Sequence, residues 1–273
     1  YRIAPEIVAG GAWINSEPLT LKQLQDENKV VLVDFWTYSC INCIRTLPYL
    51  RTWHDKYADK GLTIIGVHAP EFEFEKKLDN VTQAVADFSL KYPIVQDNDF
   101  KTWRAYQNRY WPAKYLIDHN GKIRYTHFGE GQYDETEKMI QSLLFEAGSE
   151  LGSLEIDNPD YQNYAQTPEI YLGYKRINAY FSPEQITEDE SSSYSVPESL
   201  PKNKFALAGD WTITEESSNA EANSELLLNF TAKNVFLVMS SDNDKEIPVK
   251  VYLNDQLVKD QAGVDVSDGI VSV

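Results

Sequence analysis

The sequence predicts two domains, an α/β domain around a mainly parallel sheet and, after it, an all-β domain of the sandwich type. The chain has 273 residues, more than one ordinary domain of roughly 100 to 200 residues contains. Strand-like and helix-like segments alternate up to about residue 148, whereas short strand-like runs separated by turn residues follow residue 201. The 42% of apolar residues is enough to form packed cores.

The first predicted strand and helix meet at a pair of cysteines. Residues 30–36 form a continuous run of β-branched, apolar and aromatic side chains around one aspartate, which is typical of a central strand. Residues 40–60 predict a helix that ends at Gly61. Residues 62–67 predict a second buried strand, so the segment is a β-α-β unit.

The rest of the α/β domain follows from spacing and turn residues. Asp79 or Asn80 can cap a helix whose apolar residues recur three and four positions apart. The later predicted elements are a strand at 94–95, a helix at 102–107, strands at 114–118 and 122–128, and a helix at 134–147. Asn120-Gly121 is a strong hairpin signal between the last two strands, and Gly148 ends the final helix.

The predicted second domain, residues 201–273, reads as a β-sandwich or jelly roll. Its predicted strands are residues 205–207, 211–213, 226–230, 235–239, 249–253 and 270–273. Residues 149–200 are rich in Asn, Pro, Ser and Glu, which predicts a connector to the domain at residues 1–148. Because the last run reaches Val273, we expect the sandwich to continue beyond it.

Charge and hydropathy limit the partners of the chain. Its 42 acidic and 25 basic residues give a formal charge of −17. This charge repels phosphate groups, so neither nucleic acid nor an anionic lipid surface is expected as a partner. No run approaches the roughly 18 apolar residues of a membrane helix, and the N-terminus has no signal-peptide pattern. The sequence therefore predicts a soluble region.

The two cysteines, Cys40 and Cys43, stand where a strand ends and a helix begins. Helix amides and the helix dipole would favour a thiolate on Cys40, the more exposed of the pair. A zinc site would need two more ligands from four histidines without paired spacing. A structural disulfide across so short a loop would remove little entropy from the unfolded chain. Dithiol-disulfide exchange is the interpretation that the β-α-β position favours.

The residues around this pair resemble a known family. Residues 33–43, Val-Asp-Phe-Trp-Thr-Tyr-Ser-Cys-Ile-Asn-Cys, resemble the active-site stretch of thioredoxins, and Tyr110-Trp111-Pro112-Ala113 lies where that fold places its cis-proline loop. Nearly the whole chain is similar to the thioredoxin-like extracytoplasmic region of DipZ-type proteins, with a redox core like that of TlpA and ResA. The other supporting motifs are Pro70-Glu71-Phe72, Gly-Glu-Gly-Gln-Tyr at 129–133 and Thr-Pro-Glu-Ile-Tyr-Leu-Gly-Tyr at 167–174.

The resemblance implies a thioredoxin fold followed by an all-β jelly-roll or β-sandwich domain similar to carbohydrate-binding modules. It implies that Cys40 attacks a partner disulfide and that Cys43 resolves the mixed disulfide, with no cofactor besides the redox-active disulfide of the pair. Asp34 matches the buried carboxylate that accepts the proton of the second cysteine; an ordinary paired or capping aspartate is the alternative. Pro112 matches the cis-proline that packs against the pair, and a trans-proline at a strand start is the alternative.

Three more residues are candidates for substrate binding. Trp111 is predicted either to form a recognition surface or to be partly buried, and Trp36 either to lie beside the pair or to belong to the core. Glu71 either tunes the thiols or belongs to a solvated acidic loop. His68, near the same edge of the sheet, is a proton donor or a hydrogen-bonded structural histidine.

The function expected from these inferences is that of an extracytoplasmic thiol-disulfide oxidoreductase, periplasmic or at the cell surface. The resemblance implies a membrane-anchored protein in which a CcdA-like membrane domain, of the same or another chain, supplies electrons for the reduction of protein disulfides. One alternative is a disulfide donor, since nothing in the Ile41-Asn42 dipeptide sets the redox potential. Another is a carbohydrate- or protein-binding module on a thioredoxin-like scaffold, with Trp211 and Phe205 as sugar-stacking or core residues.

Two departures from related motifs narrow the expected substrates. Asn42 and Thr46 stand where reductases of cytochrome maturation often carry a proline and an acid, so no dedicated apocytochrome substrate is expected. Thr37 and Cys40 have the spacing of a peroxidatic site, but Val33 replaces the proline of that motif. Peroxidase activity is therefore not expected.

Overall fold

The chain divides into two units, Tyr1–Tyr161 and Gln162–Val273. The division falls inside the predicted connector at residues 149–200. The computed structural model describes residues 1–152, 155–158, 167–241, 246–259 and 262–273, so parts of that connector lie outside the described residues. No helix in these ranges is long and apolar enough to cross a membrane.

The first unit is one sheet with helices on both faces. Its elements are β1 (Trp13–Ile14), α1 (Leu21–Asp26), β2 (Val30–Trp36), α2 (Ile41–Tyr57), β3 (Leu62–His68), α3 (Leu78–Asp87), β4 (Ile94–Gln96), α4 (Lys101–Tyr106), β5 (Ala113–Ile117), β6 (Ile123–Phe128) and α5 (Tyr133–Glu146). The strand order is β1-β4-β3-β2-β5-β6. The helical crossovers through α2 and α3 produce the two parallel pairings, and the other pairings are antiparallel. The sheet is therefore mixed rather than mainly parallel.

The predicted elements differ from the observed ones mainly at the N-terminal side. Neither β1 nor α1 is predicted, since a two-residue strand and a helix of six residues are too short to show a period. The helix α3 begins after Lys77 without a side-chain cap, so neither Asp79 nor Asn80 has the predicted capping role. Asn80 instead donates a hydrogen bond from Nδ2 to the carbonyl oxygen of Phe74 at 3.0 Å.

The strand β2 is buried along its whole length and serves two cores. Its side chains alternate, so Val31, Val33 and Phe35 join a core with α1 and α4. Leu32 and Trp36 join the opposite core, which contains the buried residues of α2, α3 and α5. Asp34 has the same parity as Leu32 and therefore points towards the layer that contains α2.

The second unit is β-rich. Its strands are β7 (Ser191–Tyr194), β8 (Lys204–Ile213), β9 (Ser218–Ala220), β10 (Glu225–Asn229), β11 (Pro248–Lys250), β12 (Tyr252–Leu253), β13 (Gln256–Leu257) and β14 (Ile270–Ser272). In the described ranges they form a four-stranded sheet and two strand pairs. The predicted strands at 205–207 and 211–213 are one strand, β8, in which Gly209 has φ +84°. Residues 235–239 form no strand in the structure, contrary to the prediction.

The core of the second unit contains the aromatic residues that were candidates for sugar stacking. Phe205 and Trp211 are 1% and 7% exposed, and they pack with Tyr194, Leu207 and Ile213. Their burial supports the core interpretation because a stacking platform must present a ring face to solvent.

Candidate active site

The two cysteines lie at the first turn of α2. Cys40 is the N-cap residue, and the backbone N–H of Cys43 donates a hydrogen bond to Cys40 Sγ at 3.3 Å. Both residues are free thiols in this structure. Cys40 is 6% exposed, whereas Cys43 has no exposed surface. A partner disulfide can therefore reach the sulfur of Cys40 rather than that of Cys43. The Cys40 sulfur lies at a helix N-terminus, where the electrostatic environment favours negative charge.

Burial raises the pKa of the Cys43 thiol well above its ordinary value. A hydrogen bond with Cys40 and the negative charges of Cys40 and Asp34 act in the same direction, whereas a hydrogen bond from the Thr37 backbone opposes them. Cys43 consequently retains its proton at neutral pH. It can act as a nucleophile only when a nearby group accepts that proton.

Asp34 is the candidate for the group that accepts the proton of Cys43. It is fully buried, and burial raises its pKa from 3.8 to about 7, although the positive charge of Lys114 lowers it. Lys114 lies opposite Asp34 in the β2–β5 register, with Nζ 3.8 Å from Oδ1. A group that titrates near pH 7 can both accept and release a proton under physiological conditions.

Lys114 is a site residue that is not predicted from the sequence. It is fully buried, and burial lowers its pKa while the charges of Asp34 and Cys43 raise it. The sequence does contain a signal, since Lys114 is the one charged side chain within the buried strand Ala113–Ile117. A lysine is rarely buried without an opposite charge nearby.

Replacement of Lys114 by methionine is expected to shift the pH dependence of Cys43 reactivity upwards. Without the cation, the pKa of Asp34 should rise by roughly one to two units, because an opposite charge within about 4 to 6 Å lowers a carboxyl pKa by that order. The rate at which Cys43 releases a partner from the mixed disulfide should then fall at pH 7 and recover at higher pH. The exposed residue Lys122 provides the matched control, Lys122→Met. Superimposable pH profiles for the two variants would exclude this role of Lys114.

The loop before β5 contains the predicted proline. The Trp111-Pro112 peptide bond is cis, and Pro112 accepts a hydrogen bond from the Gly129 amide at 2.8 Å. Trp111 is half-buried; its Nε1 donates to the carbonyl oxygen of Ala69 at 3.0 Å, and its ring lies 4.2 Å from that of Trp103. The ring is thus held by two contacts, and part of it is exposed.

Burial distinguishes between the alternatives predicted for Trp36 and for His68. Trp36 is fully buried, so it belongs to the core and does not lie on a surface that a substrate could touch. His68 is also buried, which lowers its pKa to about 3, and its Nε2 lies 3.3 Å from Thr37 Oγ1. Because the ring is uncharged at neutral pH, His68 is a structural histidine rather than a proton donor.

Glu71 belongs to a loop that a second glutamate organises. The buried carboxylate of Glu75 accepts hydrogen bonds from the backbone amides of Glu71 and Phe72 and from Ser39 Oγ. Glu71 itself is partly exposed. The bond to Ser39 joins the loop after β3 to the residue that precedes Cys40. The sequence gives no sign that Glu75, one of three alternating glutamates, is the buried one.

These elements define a class of protein. A dithiol at a helix N-terminus after a central strand, a buried carboxylate whose charge raises the pKa of the second thiol and a cis-proline loop before an antiparallel hairpin make a thioredoxin-like thiol-disulfide exchange site. The predicted thioredoxin fold is confirmed. Within the described ranges, no group of three His, Cys, Asp or Glu side chains is arranged to hold a metal ion.

Comparison with known proteins gives the same class. The AhpC/TSA family matches residues 4–126, and the family described as "Thioredoxin like C-terminal domain" matches residues 167–273. Protein DipZ of Mycobacterium tuberculosis is 41% identical over 244 residues, which are 86% of this chain and 35% of DipZ. The thiol-disulfide oxidoreductase YkuV of Bacillus subtilis is 32% identical over 142 residues, 52% of this chain and 94% of YkuV. A thiol-disulfide isomerase from Corynebacterium glutamicum, known from a crystal structure, has 24% sequence identity to this chain. The two structures superpose with a TM-score of 0.47 over 52% of this chain and 96% of that one.

The chain belongs to the thioredoxin-like thiol-disulfide oxidoreductases. The similarity to YkuV supports this assignment, because the match spans nearly the whole length of YkuV. The DipZ proteins are similar to this chain over most of its length, and the chain spans about a third of theirs. The recognition of a DipZ-type thioredoxin-like region from the sequence motifs is therefore confirmed.

Proposed function

We propose that this chain reduces disulfide bonds of other proteins outside the cytoplasm. The observation that supports this function most directly is the fully buried Asp34, with a pKa of about 7, on the sheet face below the Cys40-Cys43 pair. An inert dithiol has no need of a buried base, whereas a reductase must deprotonate Cys43 in every cycle.

The proposed reaction follows from the different environments of Cys40 and Cys43. The Cys40 thiolate attacks one sulfur of the partner disulfide, the partner S–S bond breaks, and one partner sulfur leaves as a thiolate. Cys43 then transfers its proton to the Asp34 carboxylate, and the new thiolate attacks Cys40 Sγ. This step forms the Cys40-Cys43 disulfide and releases the second partner sulfur. Two electrons have passed from the dithiol to the partner, and the pair itself is the only redox group required.

The source of electrons is proposed from the resemblance to DipZ-type proteins. A CcdA-like membrane domain, in the same or another chain, would reduce the Cys40-Cys43 disulfide and return the site to the dithiol. The proposed location is the periplasm or the cell surface, in a membrane-anchored protein. Cys40 and Cys43 are the only cysteines in the sequence, so a relay thiol must come from outside residues 1–273.

The direction of electron flow is tested by the reduction potential of the pair in glutathione and dithiothreitol buffers. A reductase is expected to have a value near that of thioredoxin, about −270 mV. A value of about −120 mV, that of a strong disulfide donor, would show that electrons flow in the opposite direction to the one proposed. The same protein should catalyse insulin reduction by dithiothreitol, and failure of this assay would contradict the exchange function itself.

We propose separately that the second unit is a jelly-roll domain that recognises carbohydrate or protein. Its two exposed aromatic side chains from the predicted strands are Phe236, 59% exposed, and Tyr252, 57% exposed. If either stacks on sugar rings, Phe236→Ala or Tyr252→Ala should remove glycan-array signals given by the whole chain. Absence of any signal from the parent chain would contradict carbohydrate binding.

A further inference from the structure

The segment that leads to Cys40 lies between the end of β2 and the start of α2. It consists of Thr37, Tyr38 and Ser39. Because these residues belong to neither element, their position depends on side-chain contacts more than on the hydrogen bonds of a strand or a helix. Cys43, by contrast, is fixed within α2 and is fully buried. The contacts of the segment therefore decide how Cys40 meets Cys43.

Ser39 connects this segment to Glu75. Ser39 Oγ donates a hydrogen bond to Oε1 of the Glu75 carboxylate, whose other oxygen, Oε2, accepts hydrogen bonds from the backbone amides of Glu71 and Phe72. Glu75 has no exposed surface, which is rare for a glutamate unless its oxygens have partners. Both carboxylate oxygens are occupied, so the group that receives Ser39 is held in one orientation.

The loop that contains Glu75 is itself attached to β2 and to the segment before α2. The backbone N–H of Ala69 donates to the carbonyl oxygen of Trp36 at 3.0 Å. Further along the loop, the carbonyl oxygen of Phe74 accepts a hydrogen bond from the Tyr38 hydroxyl at 3.4 Å. The loop is thus a fixed support rather than a free surface segment.

The two thiols are already in contact in the dithiol form. The backbone N–H of Cys43 donates to Cys40 Sγ at 3.3 Å, and the two thiols hydrogen-bond with each other. Groups held in reacting geometry have a high effective concentration, because little conformational entropy is lost when they join. If the backbone of one residue had to be ordered during disulfide formation, the equilibrium constant would fall by about tenfold.

Given the dithiol reaction proposed above, we infer that Glu75 is a positioning residue for the redox pair. Through Ser39 it holds Cys40 against Cys43, which raises the effective concentration of the two thiols. A higher effective concentration favours the intramolecular disulfide and makes the pair a stronger reductant. Glu75 acts through Ser39 and takes no part in the exchange of sulfur bonds or protons.

The equilibrium of residues 1–273 with glutathione measures this effective concentration. Glutathione disulfide takes two electrons from the dithiol, and the Cys40-Cys43 disulfide and two glutathione thiols form. Ser39→Ala removes the connection but keeps the Glu75 side chain and its bonds to the loop amides. The equilibrium constant of this variant is expected to fall by about tenfold, which makes the reduction potential about 30 mV less negative. Ser39→Thr keeps the hydroxyl and should restore the parental constant.

The matched control is Ser195→Ala. Ser195 Oγ also donates to a glutamate, Glu184, at 2.6 Å, but at an exposed site in the second unit. Its variant should have the constant of the parent protein. Glu75→Ala should lower the constant at least as much as Ser39→Ala, and the double variant should lower it no further, because both changes break the same bond. An unchanged constant in Ser39→Ala, or additive decreases in the double variant, would overturn the positioning role.

This result is independent of the tests of the proposed function. The positioning role depends on the difference in the equilibrium constant between the variants and the parent protein. The absolute potential of the parent protein decides the direction of electron flow, and its insulin activity decides whether it exchanges disulfides at all.

Discussion

Replacement of Cys40 by serine is expected to reduce insulin reduction to the uncatalysed rate, because the attacking sulfur is lost. Replacement of Cys43 by serine should also stop turnover but at a later step. Cys40 can still attack, and the mixed disulfide then persists because no second sulfur resolves it. A non-reducing gel after incubation with an excess of insulin measures this covalent adduct directly.

The two variants serve as controls for each other. Both remove one sulfur atom at the same helix end, so a general disturbance of α2 would affect them alike. An adduct is expected with Cys43→Ser and none with Cys40→Ser, in line with the exposure of Cys40 and the burial of Cys43. An adduct on Cys43 in the Cys40→Ser variant, with none in the other, would reverse the assigned roles.

The second large expected effect is a loss of stability as the pH rises from about 4 to 7. Folding raises the pKa of Asp34 from 3.8 to about 7, so in this window the folded protein binds a proton that the unfolded chain has released. Stability falls with rising pH wherever the folded state binds more protons. The shift of about three units corresponds to a loss of about 4 kcal/mol from this one carboxyl group by pH 7.

Urea unfolding of the parent protein and of Asp34→Asn at several pH values between 4 and 8 measures this effect. The difference in the free energy of unfolding between the two should grow in favour of Asp34→Asn as the pH rises, and it should level off above pH 7. The slope is the relevant quantity, because it reports the titration of Asp34, whereas the replacement of the side chain by itself changes the free energy of unfolding by a constant amount. Asp59→Asn, at an exposed aspartate, should run parallel to the parent protein. Parallel curves for Asp34→Asn as well would show that Asp34 has an ordinary pKa.

Local patterns in the sequence predict much of the first unit. The buried run of residues 30–36, the helix after Cys40 and the hairpin at Asn120-Gly121 are all observed with small shifts of their ends. Each depends on neighbours in the chain, such as the continuous apolar character of a central strand or the positive φ that glycine accepts in a tight turn. The position of the cysteine pair at a helix N-terminus follows from these elements alone.

The second unit is less well predicted. Residues 235–239 have the composition of a strand, but their apolar side chains are largely exposed and the segment pairs with no other strand that the structure describes. A strand needs a partner at the correct distance, and no local pattern supplies that information. For the same reason the sequence around Gly209 predicts two separate strands, although β8 continues through this residue.

The sequence by itself determines the order of the elements from β2 to α5, the redox pair and its place at the start of α2, because these depend on residues close together in the chain. Only the tertiary structure decides what surrounds the pair. Lys114 meets Asp34 through the register of two strands that are distant in sequence, Trp36 and Tyr92 pack closely against Gly66, and Ser39 meets Glu75 from another loop. Burial and pairing across the sheet change the pKa values and the accessibility of these groups, and both arise from contacts that exist only in the folded chain.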